Sequence, residues 1–242
     1  MSLYGLIGKK LSHSFSKKHF VNKFQNQGID STYELFELNN IFDFDKLKEM
    51  KNLNGLNVTI PYKESIIPFL DDLDSIAKDI GAVNTIKFEK GKTIGFNSDY
   101  FGFKKSLQNF LKNRVIVKAL ILGNGGASKA VQKVLKDLNI DYTIVSRTKT
   151  KNHLFYDELS DGIIKDHHLI INTTSLGMSP DIDSCPQINY SAITNQHFCF
   201  DLIYNPEETL FMLKSKNNNA SVINGFEMLQ LQAEKSWKIW NS

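Results

Sequence analysis

The stretch VIVKALILGNGGAS, residues 115–128, decides the fold class of this 242-residue chain. Its first part is almost entirely apolar, as in a strand that is buried on both faces of a parallel sheet. A glycine turn follows at once, and the apolar spacing over 128–138 predicts a helix. A buried strand, a glycine turn and a helix in this order are typical of a doubly wound α/β domain.

The segments on either side extend the same pattern. Predicted strands cover 3–7, 33–38, 55–60, 142–145, 169–171 and 198–202, with a hairpin over 83–88 and 93–96. Predicted helices cover 15–27, 42–50, 99–111, a segment from 207 onward, and 226–240. The last helix carries apolar residues on one face, which we expect to be buried: Phe226, Leu229, Ala233, Trp237 and Trp240. The sequence therefore predicts an α/β protein throughout.

Composition narrows the function classes. The 29 basic and 26 acidic residues are scattered along the chain, so the sequence indicates no nucleic-acid partner. No apolar run is long enough to span a membrane, and the start of the chain does not resemble an export signal. Cys185 and Cys199 are too few for a disulfide framework. We therefore expect a cytoplasmic protein with reduced thiols.

The glycine turn consists of Gly123, Asn124, Gly125, Gly126 and Ala127, and Ser128 stands where a third glycine is common. Such a turn lets the backbone approach a pyrophosphate at the positive end of the following helix. A turn without any ligand is the alternative, because the motif by itself has low specificity.

A second segment bears on the choice of dinucleotide. The next strand ends at Ser146, Arg147, Thr148 and Lys149, where an NAD enzyme would present an acidic residue to the ribose. Arg147 can bind a 2′-phosphate through two hydrogen bonds, which favours NADP. The alternative for Arg147 is a solvated surface arginine.

Two groups of side chains could contact a substrate. In an extended segment Ser14 and Ser16 would point to the same side and offer two hydroxyls to a carboxylate, although capping of the first helix is an equal alternative. Lys63 and Asp99 each lie near the end of a predicted strand, which is where ligands bind in open α/β sheets. Taken alone, Lys63 could be a surface lysine and Asp99 a helix cap.

Neighbouring His167 and His168 would face opposite sides of a strand. The chain also contains no HExxH motif and no paired-cysteine spacing. The sequence therefore predicts no catalytic metal.

In combination, the motifs resemble those of the shikimate dehydrogenase family, and they run in the family's order along nearly the whole chain. They are GKKLSHSFS (8–16), NVTIPYKE (57–64), GAVNT (81–85), NSD (97–99), LGNGGAS (122–128), SRT (146–148), INTTSLGM (171–178), DLIYNP (201–206) and NGFEMLQLQA (224–233). The chain departs from the family at Ser98, where threonine is usual, and at Tyr100 and Phe101, where a glycine is common. It is also short between Thr148 and Asn172, so the helix beside the 2′-phosphate site is expected to shrink to a turn.

The resemblance implies an α/β substrate domain at 1–99 and 225–242, a Rossmann-like NADP domain at 100–224, and a C-terminal helix that returns to the first domain. Lys63 and Asp99 would form the catalytic pair. The substrate contacts it implies are Ser14, Ser16, Thr59, Asn84, Tyr204 and Gln232. The NADP contacts it implies are the glycine turn, Ser146, Arg147, Thr148, Thr173 and Gly225.

The implied reaction is reversible hydride transfer between NADPH and the ring ketone of 3-dehydroshikimate, in a monomer or homodimer. Two alternatives stay open at this stage. One is a quinate/shikimate dehydrogenase that uses NAD. The other is a catalytically silent NADP-binding regulatory protein, for which we would expect the lysine, the aspartate or the serine pair to be lost.

Overall fold

The strand that decides the fold class is central to a parallel sheet, but it is shorter than predicted. In the computed structural model, which describes residues 1–11, 14–147 and 153–242, this strand is Lys118–Leu122. Val115 and Val117 are 87% and 62% exposed and lie outside the sheet. The predicted start at 115 was therefore wrong, because apolar content alone does not distinguish a strand from the apolar residues that precede it.

The described chain divides into two compact units. The first contains Met1–Phe101 and Gln232–Ser242, and the second contains Gly102–Leu231. The predicted boundaries were 99/100 and 224/225. The second of these differs by seven residues, because the last helix contributes its first turn and a half to the second unit.

The described part of the first unit contains a mixed six-stranded sheet of order β2-β1-β3-β5-β6-β4. Its strands are β1 (Ser2–Gly8), β2 (Ser31–Glu37), β3 (Leu53–Val58), β4 (Asp72–Leu73), β5 (Thr85–Glu89) and β6 (Lys92–Phe96). Its helices are α1 (Phe15–Gln27), α2 (Phe44–Lys48), α3 (Tyr62–Ser65), α4 (Ser75–Ile80) and the start of α5 (Ser98–Leu111), with 3₁₀ turns at Ile41–Asp43 and Ile67–Phe69. β1 pairs in parallel with β2 and β3, whereas β5 pairs antiparallel with β3 and β6.

Residues with strong local conformational preferences determine where the first helix begins and ends and where the hairpin turns. The Ser14 side chain accepts a hydrogen bond from the Lys17 backbone N–H, and Gly28 ends α1 in the left-handed conformation with φ of 62°. The helix predicted over 15–27 is therefore confirmed at both ends. The predicted hairpin forms as β5 and β6 around Lys90 and Gly91, both of which have positive φ.

The C-terminal helix α9 (Phe226–Trp240) completes the core of the first unit with its last turns. Trp240 stacks on Tyr4 and donates its indole N–H to the Ile86 carbonyl at 3.0 Å. A Cβ at Gly55 would lie 2.3 Å from the Trp240 ring, so only glycine permits this contact. The predicted return of this helix to the first domain is confirmed. Phe226 is 44% exposed, so its predicted place on the buried face was wrong.

The described part of the second unit contains an all-parallel six-stranded sheet of order β12-β11-β10-β7-β8-β9. Its strands are β7 (Lys118–Leu122), β8 (Asp141–Val145), β9 (His153–Leu154), β10 (Leu169–Asn172), β11 (Phe198–Asp201) and β12 (Ser221–Ile223). Its helices are the remainder of α5, α6 (Gly126–Asp137), α7 (Asp161–Asp166), α8 (Leu210–Asn217) and the first turns of α9, with 3₁₀ turns at Tyr156–Glu158 and Tyr190–Ala192. The helix predicted from 207 begins at Leu210 because Thr209 caps it.

The order of this sheet reverses between β7 and β10. In a doubly wound sheet, the carboxyl ends of the two strands at such a switch point border a crevice that binds ligands. Here those ends lead into the glycine turn at Gly123 and into Thr173. The doubly wound fold predicted from 115–128 is confirmed.

Candidate functional site

The first unit brings Lys63 and Asp99 together. The Lys63 ammonium lies 2.7 Å from the Asp99 carboxylate, and the side chains are 17% and 10% exposed. The pair is partly shielded from water, where an ion pair is stronger than at an open surface. The structure thus excludes the solitary surface lysine that was the alternative for Lys63.

Backbone hydrogen bonds hold Lys63 in place. Its carbonyl accepts from the Val83 N–H at 2.7 Å, and the Tyr62 N–H donates to the Thr59 carbonyl at 2.9 Å. Asp99 lies in the first turn of α5, where the helix dipole favours a carboxylate. The chain around both charges is therefore fixed before any ligand arrives.

Ser98, which precedes Asp99 in the sequence, links Asn84 and Gln232 to this part of the site by hydrogen bonds. The Ser98 backbone N–H donates to Asn84 Oδ1 at 2.6 Å, and Asn84 Nδ2 donates to Ser98 Oγ at 3.0 Å. The Ser98 hydroxyl also lies 3.3 Å from Gln232 Oε1. Two of the predicted substrate contacts, one on a loop and one on α9, are joined by one buried serine next to Asp99.

Three further residues extend this cluster, and the sequence-based reasoning missed them. Asn57, Thr85 and Ser236 are all buried. Ser236 Oγ lies 3.0 Å from Asn57 Nδ2 and 2.8 Å from Thr85 Oγ1. The signal that could have found Ser236 is its i,i+4 spacing from Gln232, which puts both on one face of α9.

The predicted serine pair does not lie in an extended segment. Ser14 caps α1, as the capping alternative predicts, and Ser16 lies within the helix, while a contact of either hydroxyl with a carboxylate stays a prediction. Burial raises the pKa of Tyr33, and hydrogen bonding with the Ser16 side chain opposes that rise. Tyr33 in turn donates to Asn57 Oδ1 at 2.8 Å. Thr59, another predicted contact, is half-buried just beyond the end of β3 and donates its N–H to the Ile7 carbonyl.

The second unit contains the glycine turn between β7 and α6. Gly123 has φ of 103°, and a Cβ there would lie 2.8 Å from the Thr174 methyl group. A Cβ at Gly125, in contrast, would meet open space, and no side chain caps α6 at this residue. The backbone N–H groups at the start of this helix are therefore open to an anion.

Next to the turn, hydrogen bonds join the carboxyl ends of the neighbouring strands through Thr173, Asn172 and Asp201. Thr173 donates through its hydroxyl to the Leu122 carbonyl at 2.9 Å, and Asn172 Nδ2 donates to Asp201 Oδ1 at 3.0 Å. Thr209 donates its hydroxyl to Asp201 Oδ2 at 2.6 Å. Burial raises the pKa of Asp201 to about 6, although these donors oppose the rise.

The remaining predicted contacts lie at other points of the second unit. Ser146 is buried and donates its N–H to the Leu154 carbonyl, whereas Arg147 is exposed. Tyr204 is half-buried on the loop after β11. A Cβ at Gly225 would lie 2.1 Å from the Leu202 carbonyl oxygen, so this position requires glycine. The predicted contact Thr148 lies outside the described residues.

Arg147 has a neighbour, Tyr156, within the shortened segment. Burial raises the pKa of Tyr156, and the charge of Arg147 partly offsets that rise. Between β8 and β10 the described chain contains only β9, a 3₁₀ turn and the six-residue helix α7. We expected a turn in place of a full helix in this segment, and among its described residues α7 is the only α-helix.

The described residues contain no cluster of three or more His, Cys, Asp and Glu side chains that could hold a metal ion. The His167 Nδ1–H donates to the Ile163 carbonyl at 2.6 Å, and Nε2 is hydrogen-bonded to the Thr143 hydroxyl at 3.0 Å. None of the described helices is long and apolar enough to cross a membrane.

Comparison with known proteins gives consistent matches. The family model for the shikimate dehydrogenase substrate binding domain matches residues 6–86. The shikimate dehydrogenase (NADP(+)) of Clostridium beijerinckii is 41% identical over 99% of this chain and 92% of its own length. The crystal structure of shikimate dehydrogenase from Aquifex aeolicus aligns with a TM-score of 0.90 and 36% identity over 100% of this chain and 92% of that one. Shikimate 5-dehydrogenase of Thermus thermophilus, solved in complex with NADP(H) and shikimate, aligns with a TM-score of 0.88 and 25% identity over 99% and 93% of the two chains.

Proposed function

Because the chain belongs to the shikimate dehydrogenase family, we propose that it catalyses the reversible NADPH-dependent reduction of 3-dehydroshikimate to shikimate. The observation that carries this proposal is the shielded ion pair between Lys63 and Asp99. A protein that only bound the nucleotide would have no need of such a pair, whereas a ketone reductase needs a proton donor.

Lys63 has the chemistry for the proton step. As the ring carbonyl carbon gains a hydride, its π electrons move to the oxygen, which becomes an alkoxide. An ammonium group within hydrogen-bond reach stabilises that charge and can transfer its proton to the oxygen. Asp99 orients the ammonium through the 2.7 Å contact and can accept a hydrogen bond from a neighbouring ring hydroxyl. In the oxidative direction Lys63 takes the proton back.

The remaining polar side chains would bind the substrate. We assign Asn84, Gln232 and Thr59 to the ring hydroxyls. Ser14, Ser16 and Tyr204 are assigned to the carboxylate. Asn84 and Gln232 are buried and already hydrogen-bonded to Ser98, which lowers the entropy lost on binding.

The second unit fits NADP as its cofactor. The open space above Gly125 and the uncapped start of α6 suit a pyrophosphate, and exposed Arg147 suits a 2′-phosphate. Gly123, Asn124, Gly126, Ala127, Ser146, Thr148, Thr173 and Gly225 complete the proposed set. When bound, NADPH supplies the hydride that the ring carbon receives. A monomer or homodimer and a cytoplasmic location stay predictions.

The test is turnover of shikimate by the purified protein, followed by NADPH absorbance. We expect reduction of NADP⁺, and no turnover at any pH between about 7 and 10 would contradict the proposal. Rates with shikimate or quinate, each with NADP⁺ or NAD⁺, distinguish the NAD-dependent quinate/shikimate alternative. We expect the shikimate and NADP⁺ combination to be fastest.

A further inference from the structure

The buried hydroxyl of Ser236 lies where four elements of the first unit meet. It lies 3.0 Å from Asn57 Nδ2 on β3, 2.8 Å from Thr85 Oγ1 on β5 and 3.0 Å from Ser98 Oγ on α5. On its own helix it donates to the Gln232 carbonyl at 3.0 Å. None of these contacts involves the Lys63 and Asp99 charges directly.

We propose that Ser236 is a positioning residue for substrate recognition, which acts by fixing the direction in which the side-chain amides of Asn84 and Gln232 face. This inference rests on the proposed function of those two residues as substrate contacts. It concerns how the site is held, and it assigns Ser236 no contact with the substrate.

The hydrogen-bonding capacity of the Ser236 hydroxyl limits its role toward each neighbour. A serine hydroxyl has one proton and two lone pairs. The proton goes to the Gln232 carbonyl, so Ser236 acts as an acceptor toward its other neighbours. Asn57 Nδ2 can only donate, and Thr85 is the nearest hydroxyl, so these two occupy the lone pairs.

The hydroxyl proton of Ser98 is then available to the side-chain amide of Asn84 or of Gln232. The Ser98 backbone N–H occupies Asn84 Oδ1 at 2.6 Å, which turns Asn84 Nδ2 toward Ser98 Oγ. The Ser98 hydroxyl lies 3.2 Å from Asn84 Oδ1 and 3.3 Å from Gln232 Oε1. Because Asn84 Nδ2 already donates to this hydroxyl and Asn84 Oδ1 already accepts the backbone N–H, we assign the hydroxyl proton to Gln232 Oε1. In this arrangement the hydroxyl protons of Ser236, Thr85 and Ser98 each have an acceptor.

This arrangement determines which groups of the Gln232 and Asn84 side chains are available to a ligand. With Oε1 occupied, the Nε2 amide is the polar group of Gln232 left for a ligand, and none of the described hydrogen bonds involves it. Asn84 Nδ2 retains one proton beyond the bond to Ser98. A ring hydroxyl would thus accept from the two amides and donate to Asp99. Without Ser236, Asn57 Nδ2 keeps only longer contacts such as the Asn84 carbonyl at 3.3 Å, and Thr85 can compete for Asn84 Oδ1, which lies 3.2 Å away.

The test measures shikimate binding by calorimetry in four proteins: wild type, Ser236→Ala, Gln232→Ala and the double variant. We expect Ser236→Ala to raise the Kd for shikimate roughly tenfold and to leave the Kd for NADP⁺ within about twofold. In the Gln232→Ala background the same change should raise the Kd by less than about threefold, because residues that act through one another are not additive. Equal losses in both backgrounds would overturn the inference.

Thr93→Val is the matched control for a buried hydroxyl in the same unit. Thr93 is 4% exposed, and its hydroxyl donates to Asp71 at 2.8 Å. We expect it to lower the melting temperature by a few degrees, as Ser236→Ala does, without changing the Kd for shikimate. A tenfold rise in Kd for Thr93→Val would show that general loss of packing explains the effect, which contradicts the inference.

Two further measurements separate the outcomes. If Ser236→Ala does not fold, Ser98→Ala removes the donor to Gln232 Oε1 directly and should show the same lack of additivity with Gln232→Ala. Turnover by the wild type is measured in parallel. Shikimate binding without turnover contradicts the proposed function alone, whereas additive losses contradict the Ser236 inference alone.

Discussion

The two units present polar groups to their candidate ligands in opposite ways. In the first, the groups are side chains that are already hydrogen-bonded to one another, as with Lys63, Asp99 and Asn84. In the second, the turn at Gly123 and Gly125 offers backbone N–H groups and open space. A side chain can be removed singly, whereas a backbone group cannot. The first site should therefore fail when one group is truncated, and the second when charge or conformation is changed around it.

The largest expected effect comes from truncating the catalytic lysine. Lys63→Ala should lower kcat roughly 1,000-fold, because the alkoxide loses its proton donor, while the Kd for NADP⁺ stays unchanged. Steady-state kinetics and cofactor titration check both parts. Lys78→Ala, at an exposed lysine of the same unit, is the control and should leave kcat unchanged. A Lys63→Ala enzyme within tenfold of wild type would contradict the role of Lys63.

In the second unit the buried carboxylate of Asp201 should make stability depend on pH. Burial raises its pKa from 3.8 to about 6, so the native protein holds a proton that the unfolded chain has released between these values. The free energy of unfolding should therefore fall as pH rises from about 4 to about 6, by about 3 kcal/mol in all.

Urea unfolding of wild type and Asp201→Asn at pH 4.5 and pH 7 checks this, because the variant has no proton to lose at this position. The stability of wild type relative to the variant should decrease by about 2 kcal/mol between the two pH values, because about a third of the total change lies below pH 4.5. Asp183→Asn, at an exposed aspartate of the same unit, is the control and should show no such change. The opposite sign would mean that the hydrogen bonds from Asn172, Thr209 and the Ile203 N–H outweigh burial.

Removal of the exposed arginine should affect one cofactor selectively. Arg147→Ala should raise the KM for NADP⁺ about tenfold through loss of a charge-assisted contact, with little change for NAD⁺. Comparison of the two cofactors in one preparation is the measurement, and Lys136→Ala, at an exposed lysine of α6, is the control. Equal losses for both cofactors would show that Arg147 does not contact the 2′-phosphate.

The smallest effect concerns the cap of α1. Ser14→Ala should lower the free energy of unfolding by about 1 kcal/mol, because the Lys17 N–H loses its acceptor. Ser14→Asp keeps an acceptor and should restore that stability, yet its charge should weaken shikimate binding if Ser14 also binds the carboxylate. Ser160→Asp, at the cap of α7, is the control. Unchanged shikimate binding in Ser14→Asp would limit Ser14 to capping.

What the sequence could predict depended on how local its signals are. The helix α1 was predicted to the residue because Ser14 and Gly28 act within one turn of its ends. The start of β7 was placed three residues too early, because exposed Val115 and Val117 look the same in the sequence as buried ones. Solvent exposure of this kind is decided by tertiary packing, which no short window contains.

The same distinction between local signals and tertiary packing applies to the residues of the candidate site. Lys63 and Asp99 were singled out from strand ends and from the family resemblance, and the structure brings them into contact. Ser236 was missed because a serine in a helix has no signal of its own. Its importance arises from Asn57, Thr85 and Ser98, which are distant in the sequence and meet only in the fold.

The placement of Trp240 against Gly55 has a consequence for how the chain emerges from the ribosome. Residues 1–101 leave the ribosome well before the helix that covers Tyr4 and Gly55. The unit Gly102–Leu231 lies between them in the sequence, is continuous and can fold while synthesis proceeds. The first unit is therefore completed only after the second has been made, and until then its aromatic surface around Tyr4 is exposed, which is the kind of surface that makes folding intermediates prone to aggregate.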